Sequence, residues 1–519
     1  MTDDTMNGAE SLVKTLLASG VEVCFTNPGT SEMHFVAALD HVAGMRSVLA
    51  LQEGVATGAA DGYYRMAGKP ASTLLHLGPG LANGLSNLHN AKKAGSGVVN
   101  IIGEHAPSHI ELDAPLTSDI EGIARPVSHW VRTSPTSTTV GQDAADAVQA
   151  AMTAPGQIAS LILPSDTAWT DGGVPQDALA VPAPQPFDDS ILEQAAQALD
   201  GPETLLLLGG GALTEANLKT AGRIAAKTGC KLLSEWANAR LERGAGRVVV
   251  GRVPYPIDIA LKVLEPYKRI VLLGARAPIG FFAYPGMPAV LTREGAEILK
   301  LADGGADLTG ALDALCAATG ATDTPPAHVA EAELPDRPEG TINLDNLAAV
   351  IARAIPENGI VVDESITTGR AFFPVTKGAP KHDWLNNCGG SIGYGMPVAI
   401  GAAVACPDRK VLALLGDGSA MYTVQALWTM ARENLDITVL IFANRSYKIL
   451  RGELTNVGVS NPGPRALDML SLDRPAIDWV QMARSMGVEA EQVTECEALE
   501  AAMDEGLSGS GPRLIEVML

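Results

Sequence analysis

An α/β chain folded as three doubly wound parallel-sheet domains is what this 519-residue sequence predicts. Three observations carry that expectation. Short runs rich in Leu, Ile and Val recur without polar alternation, the pattern of parallel strands buried on both faces. Helical patterns rich in Ala and Gly lie between them, and such alternation winds helices onto both faces of a sheet. Two Pro-rich, acidic stretches without apolar periodicity, Asp171 to Ser190 and Ala321 to Asp345, divide the chain. They leave parts at 1–172, 190–320 and 342–519, each of ordinary domain size.

The strands follow in order. In the first part GVEVCFTNPG, ASTLLHLGPG, GVVNIIGEH and ASLILPSD read as strands ending at turns, and Val48 to Leu51 reads as a further one. In the middle ETLLLLGGGA and KRIVLLGARAP do the same. In the last NGIVVDES, KVLALLGDGS, DITVLIFANRS and PRLIEVML follow. Ligands of doubly wound sheets sit beyond the C-terminal ends of strands, so these turns are where chemistry is expected.

Bulk composition narrows the function classes. Hydrophobic residues make up 46% and charged residues 18%, as in globular proteins. A net charge of -22 repels phosphate backbones and anionic lipid, which argues against nucleic acid or a membrane as partner. The six cysteines are scattered without C-x-x-C, so neither a zinc site nor a disulfide framework is indicated. The N-terminal MTDDTMNGAE is acidic and polar, unlike a signal peptide, and no apolar run reaches membrane-spanning length. The expectation is a cytoplasmic enzyme.

The stretch from Leu414 to Tyr447 reads strand, Gly-Asp-Gly turn, helix beginning near Ser419, strand, then Asn444-Arg445-Ser446. Asp417 and Asn444 fall just beyond strand ends on one sheet edge. Their oxygens are hard ligands suited to Mg²⁺ or Ca²⁺. Gly416 and Gly418 let backbone approach a phosphate. The plain alternative is that Asp417 caps a helix and Asn444 fills a turn. The full pattern resembles the signature of thiamine diphosphate (ThDP) enzymes, Gly-Asp-Gly followed one strand–helix–strand unit later by Asn-Asn. Here the first Asn is replaced by Ala443.

That resemblance spans the whole chain, nearest to acetolactate synthase-like and benzoylformate decarboxylase-like members. It implies a pyrimidine-binding domain (1–172), a central domain (190–320) and a diphosphate-binding domain (342–519). It implies that Asp417, Asn444 and the Ser446 carbonyl hold Mg²⁺, with Gly416, Gly418, Ser419 and Tyr447 around the diphosphate. VVDESITTGR resembles the segment contacting that diphosphate, which points to Ser365, Ile366 and Thr367. In NNCGGSIGYGMP, Ile392 resembles the aliphatic residue that bends the cofactor.

Glu53 follows a strand and precedes a helix of small residues, so residue by residue it reads as a helix-start acid or a working group. Glu53, Ala56, Ala60, Gly62, Tyr63 and Arg65 match the family's E-x-x-A-x-x-x-A-x-G-Y-A-R, with Tyr64 in place of Ala. The resemblance makes Glu53 the acid that exchanges a proton with the cofactor's pyrimidine. It also implies a homodimer or homotetramer with the active site at the subunit interface.

On the substrate side, Thr30 stands where benzoylformate decarboxylase has a Ser beside the substrate carboxylate, with Ser31 next. Both can also cap the following helix, with Glu32 in its first turn. His76 aligns with an active-site histidine. His34, His41, His89, His105, His109 and His129 read as structural. Phe281 stands where the decarboxylase has its second active-site histidine, and Ile449 and Glu453 fall near positions that shape its pocket. Bulk at Ile449 hints at a small aliphatic donor. GGGA after LLLL reads as a plain strand–helix turn, so FAD is left out. The implied activity is decarboxylation of a small 2-oxo acid to an enamine (an acyl-anion equivalent), which is added to a carbonyl acceptor or released as aldehyde. The rivals are a ThDP-binding homologue without catalysis, and a nucleotide- or flavin-binding α/β protein with a chance Gly-Asp-Gly.

Overall fold

A computed structural model describes residues 6–519; the first five residues of the acidic N-terminal stretch lie outside the described residues. The first sheet has six parallel strands: β1 (Val23–Asn27), β2 (Arg46–Leu49), β3 (Ala71–Leu75), β4 (Val98–Glu104), β5 (Trp130–Thr133) and β6 (Ile158–Pro164). Their spatial order is β2-β1-β3-β4-β6-β5. The second sheet holds β7 (Thr204–Leu208) and β8 (Lys231–Ser234). The chain then makes β9 (Leu241–Arg243), which leaves for the third sheet. It returns with β10 (Gly251–Arg252), β11 (Arg269–Leu273) and β12 (Glu297–Ala302), in the order β10-β8-β7-β11-β12. The third sheet comprises β13 (Gly359–Glu364), β14 (His382–Asn386), β15 (Val411–Gly416), β16 (Ile437–Ala443), β17 (Glu489–Val493) and β18 (Arg513–Met518). Its order is β17-β18-β16-β15-β13-β14-β9.

The predicted three-sheet α/β class is what the chain adopts, with one departure. The third sheet is not purely parallel: β9, from the middle of the chain, pairs antiparallel with β14. A central-segment strand thereby covers an edge that would otherwise expose unpaired backbone. The strand at Val48 to Leu51 runs two residues earlier, as Arg46–Leu49. The strands β5, β8, β10, β12 and β17, all but β8 at sheet edges, carry no long apolar run, which is why residue patterning does not reveal them.

The first and third sheets meet through two helices, Glu53–Ala67 and Gly395–Ala405. Their small residues are there for closeness. A Cβ built on Gly62 would lie 2.1 Å from the Val398 carbonyl oxygen, and one on Gly401 1.9 Å from that of Ala59. Arg65, one turn from the helix end, bolts the contact. Its Nε and Nη2 donate to both oxygens of buried Asp61 at 2.7 Å. Its Nη1 donates to the Asn386 carbonyl (2.7 Å), the Ala239 carbonyl (3.2 Å) and the Tyr394 hydroxyl (3.2 Å). One guanidinium thus ties all three parts of the chain. Among the described residues no helix is long and apolar enough to cross a membrane.

Candidate active site

Beyond the C-terminal end of β2, Gln52 caps the helix that begins at Glu53, its side chain accepting from the Val55 amide. Glu53 is therefore a first-turn residue, and it is buried. Its Oε2 accepts from Asn83 Nδ2 at 3.0 Å. Its Oε1 faces Gly80, where a Cβ would come within 3.2 Å. Asn83 lies on the helix Leu77–Ala94, whose N-cap is His76. The Glu53 carboxyl and the Cβ of His76 thus both border Gly80, since a Cβ there would also lie 3.3 Å from His76 Cβ, while the His76 ring lies against Gly29.

His76 Nδ1 pairs with Glu32 Oε2 at 2.8 Å, and the same oxygen accepts from the Gly29 amide at 2.7 Å. Glu32 is fully buried, and burial pushes its carboxyl up while the His76 charge pulls it back. The expected helix caps are different from those found. Glu32 itself occupies the N-cap of the helix Met33–His41, which no side chain caps, and its carboxylate, not Thr30 or Ser31, holds the Gly29 amide at the start of the turn Thr30–Glu32. Thr30 is exposed and Ser31 half-buried, close in sequence to the Glu32–His76 pair.

At the other end, Asp417 and Asn444 follow β15 and β16, which pair in register from Val411↔Ile437 to Gly416↔Phe442. Asp417 Oδ1 accepts from the Gly418 amide (2.8 Å) and Oδ2 from the Arg445 amide (2.7 Å). Burial pushes this carboxyl up, the donating amides and the Arg445 charge pull it back, and among the described residues its hydrogen bonds come from amides. A buried acid satisfied only by amides suits a cation, and so fits the metal site that the motif implies. Asn444 Oδ1 accepts from the Ser446 amide (3.0 Å), and the Ser446 hydroxyl donates to the Leu470 carbonyl (3.0 Å). Among the described residues no group of three His, Cys, Asp or Glu is placed to hold a metal, so Asp417 would need amide and carbonyl oxygens beside it.

One local expectation is corrected here. The helix after β15 begins at Asp417, not near Ser419, and runs only to Ala420 before a 3₁₀ turn. A Cβ on Gly418 would lie 2.5 Å from the Tyr447 ring, so only glycine fits beside that ring, whereas a Cβ on Gly416 would meet nothing nearer than the Ser419 hydroxyl at 3.6 Å.

Backbone strain marks both ends. Ile366 after β13 (φ 52°), Arg445 after β16 (φ 52°) and Leu77 after β3 (φ 48°) sit in the left-handed region. Non-glycine residues there cost about 1–3 kcal/mol each, and they gather at functional sites. Ser365 is buried and donates to Asp363 Oδ1 at 2.5 Å, while Ile366 and Thr367 follow it towards the surface. Glu364, on which residue reading placed no weight, is buried and accepts from the amides of Gly393, Tyr394 and Gly395 (2.9, 3.2 and 2.8 Å). It thereby fixes the turn that carries Ile392. From the first sheet's side, Asn87 donates to the Gly393 carbonyl (3.2 Å) and Asn90 to that of Ser391 (2.9 Å).

The central part contributes an aromatic wall. Phe281 packs on Trp236, Tyr255 and Phe282, with ring centroids 5.2, 5.5 and 4.8 Å away. It stands over Gly390, where a Cβ would lie 2.6 Å from its ring, two residues from Ile392. Tyr284 donates to Glu453 Oε2 at 2.7 Å, and Ile449 shares a face with Glu453 on the helix Lys448–Asn456. Phe281, Ile449 and Glu453 are thus gathered on the side of the third sheet that bears Ile392. Among the described residues, the Glu53 group and the Asp417 group share no hydrogen-bond partner.

Residues 6–122 match the family model of the thiamine pyrophosphate enzyme N-terminal TPP binding domain, and 368–517 that of the C-terminal TPP binding domain. A Mycobacterium tuberculosis protein provisionally described as acetolactate synthase large subunit IlvX is 50% identical over 523 residues, covering 99% of each chain. Benzoylformate decarboxylase of Pseudomonas aeruginosa is 28% identical, covering 96% of each. Among solved structures, the ThDP-dependent 4-hydroxybenzoylformate decarboxylase of Rhodococcus jostii RHA1 superposes with a TM-score of 0.86 at 25% identity, covering 99% of each chain. With both cofactor-binding models matched and similarity running end to end, the chain belongs to the thiamine pyrophosphate (ThDP) enzyme family.

Proposed function

We propose that this enzyme decarboxylates a small 2-oxo acid with ThDP and a divalent cation and joins the acyl fragment to a carbonyl acceptor, in the manner of an acetolactate synthase. The observation that supports this reading is Phe281, packed in an aromatic wall over Gly390 at the position where the resemblance puts the decarboxylase's second imidazole. A group poised to protonate the product-forming carbon is what rapid aldehyde release needs. Without it, addition to a second carbonyl compound competes better.

ThDP, when bound, supplies the carbon nucleophile and electron sink for cleaving the bond between carbonyl and carboxylate. The chain's residues do the rest. Asp417, Asn444 and the Ser446 carbonyl would hold Mg²⁺, with Gly416, Gly418, Ser419, Tyr447, Ser365, Ile366 and Thr367 around the diphosphate. Glu53 holds and releases a proton at Oε1, since Oε2 is engaged by Asn83. Its retention weighs against a homologue that binds without catalysis. His76 and Thr30 face the substrate, with Ser31, Phe281, Ile449 and Glu453 completing the pocket. A second copy of the chain brings its Glu53 to this copy's Asp417, as the family resemblance implies.

Aldehyde release is the second reading, favoured by the end-to-end likeness to two decarboxylases. A donor–acceptor product screen by mass spectrometry separates the two. Pyruvate and benzoylformate are supplied singly and with aldehyde or 2-oxo acid acceptors, with and without ThDP and Mg²⁺. Cofactor-dependent 2-hydroxyketone products support the proposal, aldehyde alone supports the second reading, and no consumption of any 2-oxo acid overturns both.

A further inference from the structure

The chain holds 6 Trp, 8 Tyr and 8 Phe in 519 residues, so rings are sparse. Trp236, Tyr255, Phe281, Phe282 and Tyr284 nevertheless gather in one cluster. Trp236 follows β8, Tyr255 follows β10, and the other three follow β11. These strands run parallel in the second sheet, so every ring leaves its C-terminal edge, where doubly wound folds take their ligands. The Trp236 ring is centred 5.8 Å from Tyr255 and 5.2 Å from Phe281, at 65° and 87°. Rings that meet edge to face do not stack shut, and they leave electron-rich faces for other partners. Phe281 is 39% exposed and Phe282 54%, and large exposed rings rimmed by polar groups mark a binding surface.

One acid reaches this cluster from the third sheet's side. Glu453 lies on the helix Lys448–Asn456, which has no buried residue, and its Oε2 accepts from the Tyr284 hydroxyl at 2.7 Å. Burial, and then the bond to Glu453, push the Tyr284 phenol up, so it stays a donor. Burial raises Tyr255 as well; the Glu453 charge adds to this and the exposed Arg370 opposes it. Among the described residues no Lys, Arg or His forms an ion pair with Glu453, whose carboxylate is held by the phenol. A carboxylate without a cationic partner and the ring faces beside it both attract positive charge.

We propose that Trp236, Tyr255, Phe281 and Glu453 form a subsite for a positively charged carbonyl acceptor, an aldehyde that bears a quaternary ammonium group. This rests on the reading of Phe281, Ile449 and Glu453 as pocket residues, and it names the class of acceptor. Phe281 ties the subsite to that pocket, because its ring stands over Gly390, two residues from Ile392. Ile449, on the Glu453 face of its helix, narrows the pocket for a small donor and leaves the aromatic side to the acceptor. The ammonium group rests on ring faces, which attract it without a hydrogen bond, and Glu453 supplies the counter-charge. In the reaction the donor loses its carboxylate as CO₂, its carbonyl carbon bonds to the aldehyde carbon, and the aldehyde oxygen takes up the one proton consumed. The ammonium group keeps its charge throughout.

The test uses the full-length enzyme with ThDP and Mg²⁺. Choline and its uncharged isostere 3,3-dimethylbutan-1-ol are titrated by calorimetry and by tryptophan fluorescence. Choline should bind about tenfold tighter or more. Glu453→Gln, which keeps the shape, should bring the two affinities within about twofold. Trp236→Phe should abolish the fluorescence change while calorimetry still shows choline preferred. With an accepted 2-oxo acid as donor, trimethylammonioacetaldehyde should exceed 3,3-dimethylbutanal in kcat/KM by about the same tenfold, and Glu453→Gln should remove that preference through the acceptor KM. Should Glu453→Gln fail to fold, Phe281→Leu takes its place and should weaken choline more than the isostere. Equal affinity for choline and isostere in wild type, or an undiminished preference in the folded variant, would overturn the proposal. A choline preference lost on Glu453→Gln, in a wild type that consumes no 2-oxo acid, would overturn the functional reading and leave the cation subsite standing.

Discussion

At the pyrimidine end the site is made of side chains touching side chains. Glu53 meets Asn83, and His76 meets Glu32, drawn from the ends of three strands of one sheet. At the diphosphate end a side chain meets mainly backbone. Asp417 and Glu364 are buried acids whose partners are main-chain amides, and Ile366 and Arg445 hold strained turns between them. On the proposed function the difference follows from the task at each end. Amides and strained turns would preorganise a rigid cradle for a charged, unchanging group, and paired side chains would hold and exchange protons.

The two ends are held in one body by the 53–67 and 395–405 helices, so the severest test cuts that link. Gly401→Val puts side-chain atoms where the Ala59 carbonyl already lies, and should leave no cooperatively folded protein by circular dichroism. Preserved folding would mean that the helices can separate freely.

Next come variants that affect one end only. Glu53→Gln should lower turnover by about 10²–10⁴-fold, the range typical of a lost acid–base group, while ThDP binding by calorimetry stays near wild type. Asp417→Asn should do the reverse, losing Mg²⁺-dependent ThDP binding first. If both variants behaved alike, the division of labour between the ends would be wrong. Arg65→Met breaks the buried pair with Asp61, leaving an uncompensated carboxylate, and should cost about 3–5 kcal/mol in urea denaturation.

Glu364 gives a pH-dependent prediction. Burial pushes its carboxyl up to about 7 from an ordinary 4.5, despite the three amides that donate to it. The folded state therefore binds this proton more tightly than the unfolded chain does. The stability it contributes is full below about pH 4.5 and is lost as pH rises through about 7. Glu364→Gln should flatten the stability-versus-pH slope in that window, and an unaltered slope would show that the proton is not held there. The smallest expected effect is that of Phe281→His: a few-fold shift of product from ligation towards aldehyde, read in the same mass-spectrometric screen.

Much of the diphosphate end is legible residue by residue because its parts are close along the chain. Asp417 and Asn444 are joined by one strand–helix–strand unit, and a parallel sheet brings the ends of adjacent strands together. Glu364 escapes notice because its partners, Gly393 to Gly395, lie in another loop. At the pyrimidine end Glu53 is visible through its matched motif, but its partner Asn83 is not. Glu32 reads as an ordinary helix-start acid, because β3, which carries His76 at its end, comes to lie beside β1 only in the folded sheet, with β2 on the other side.

Sequence by itself determined the α/β class, the strand ends that carry chemistry, and the membership that those ends announce. Apolar runs and turn residues are local, and so is the hydrogen bonding that makes strands and helices. Tertiary structure alone decided that Glu32 takes His76, that Tyr447 fills the room beside Gly418, that Arg65 ties three parts of the chain, and that β9 closes a foreign sheet. Each of these is a contact between groups far apart along the chain. Burial and close packing, not spacing, set which of them meet.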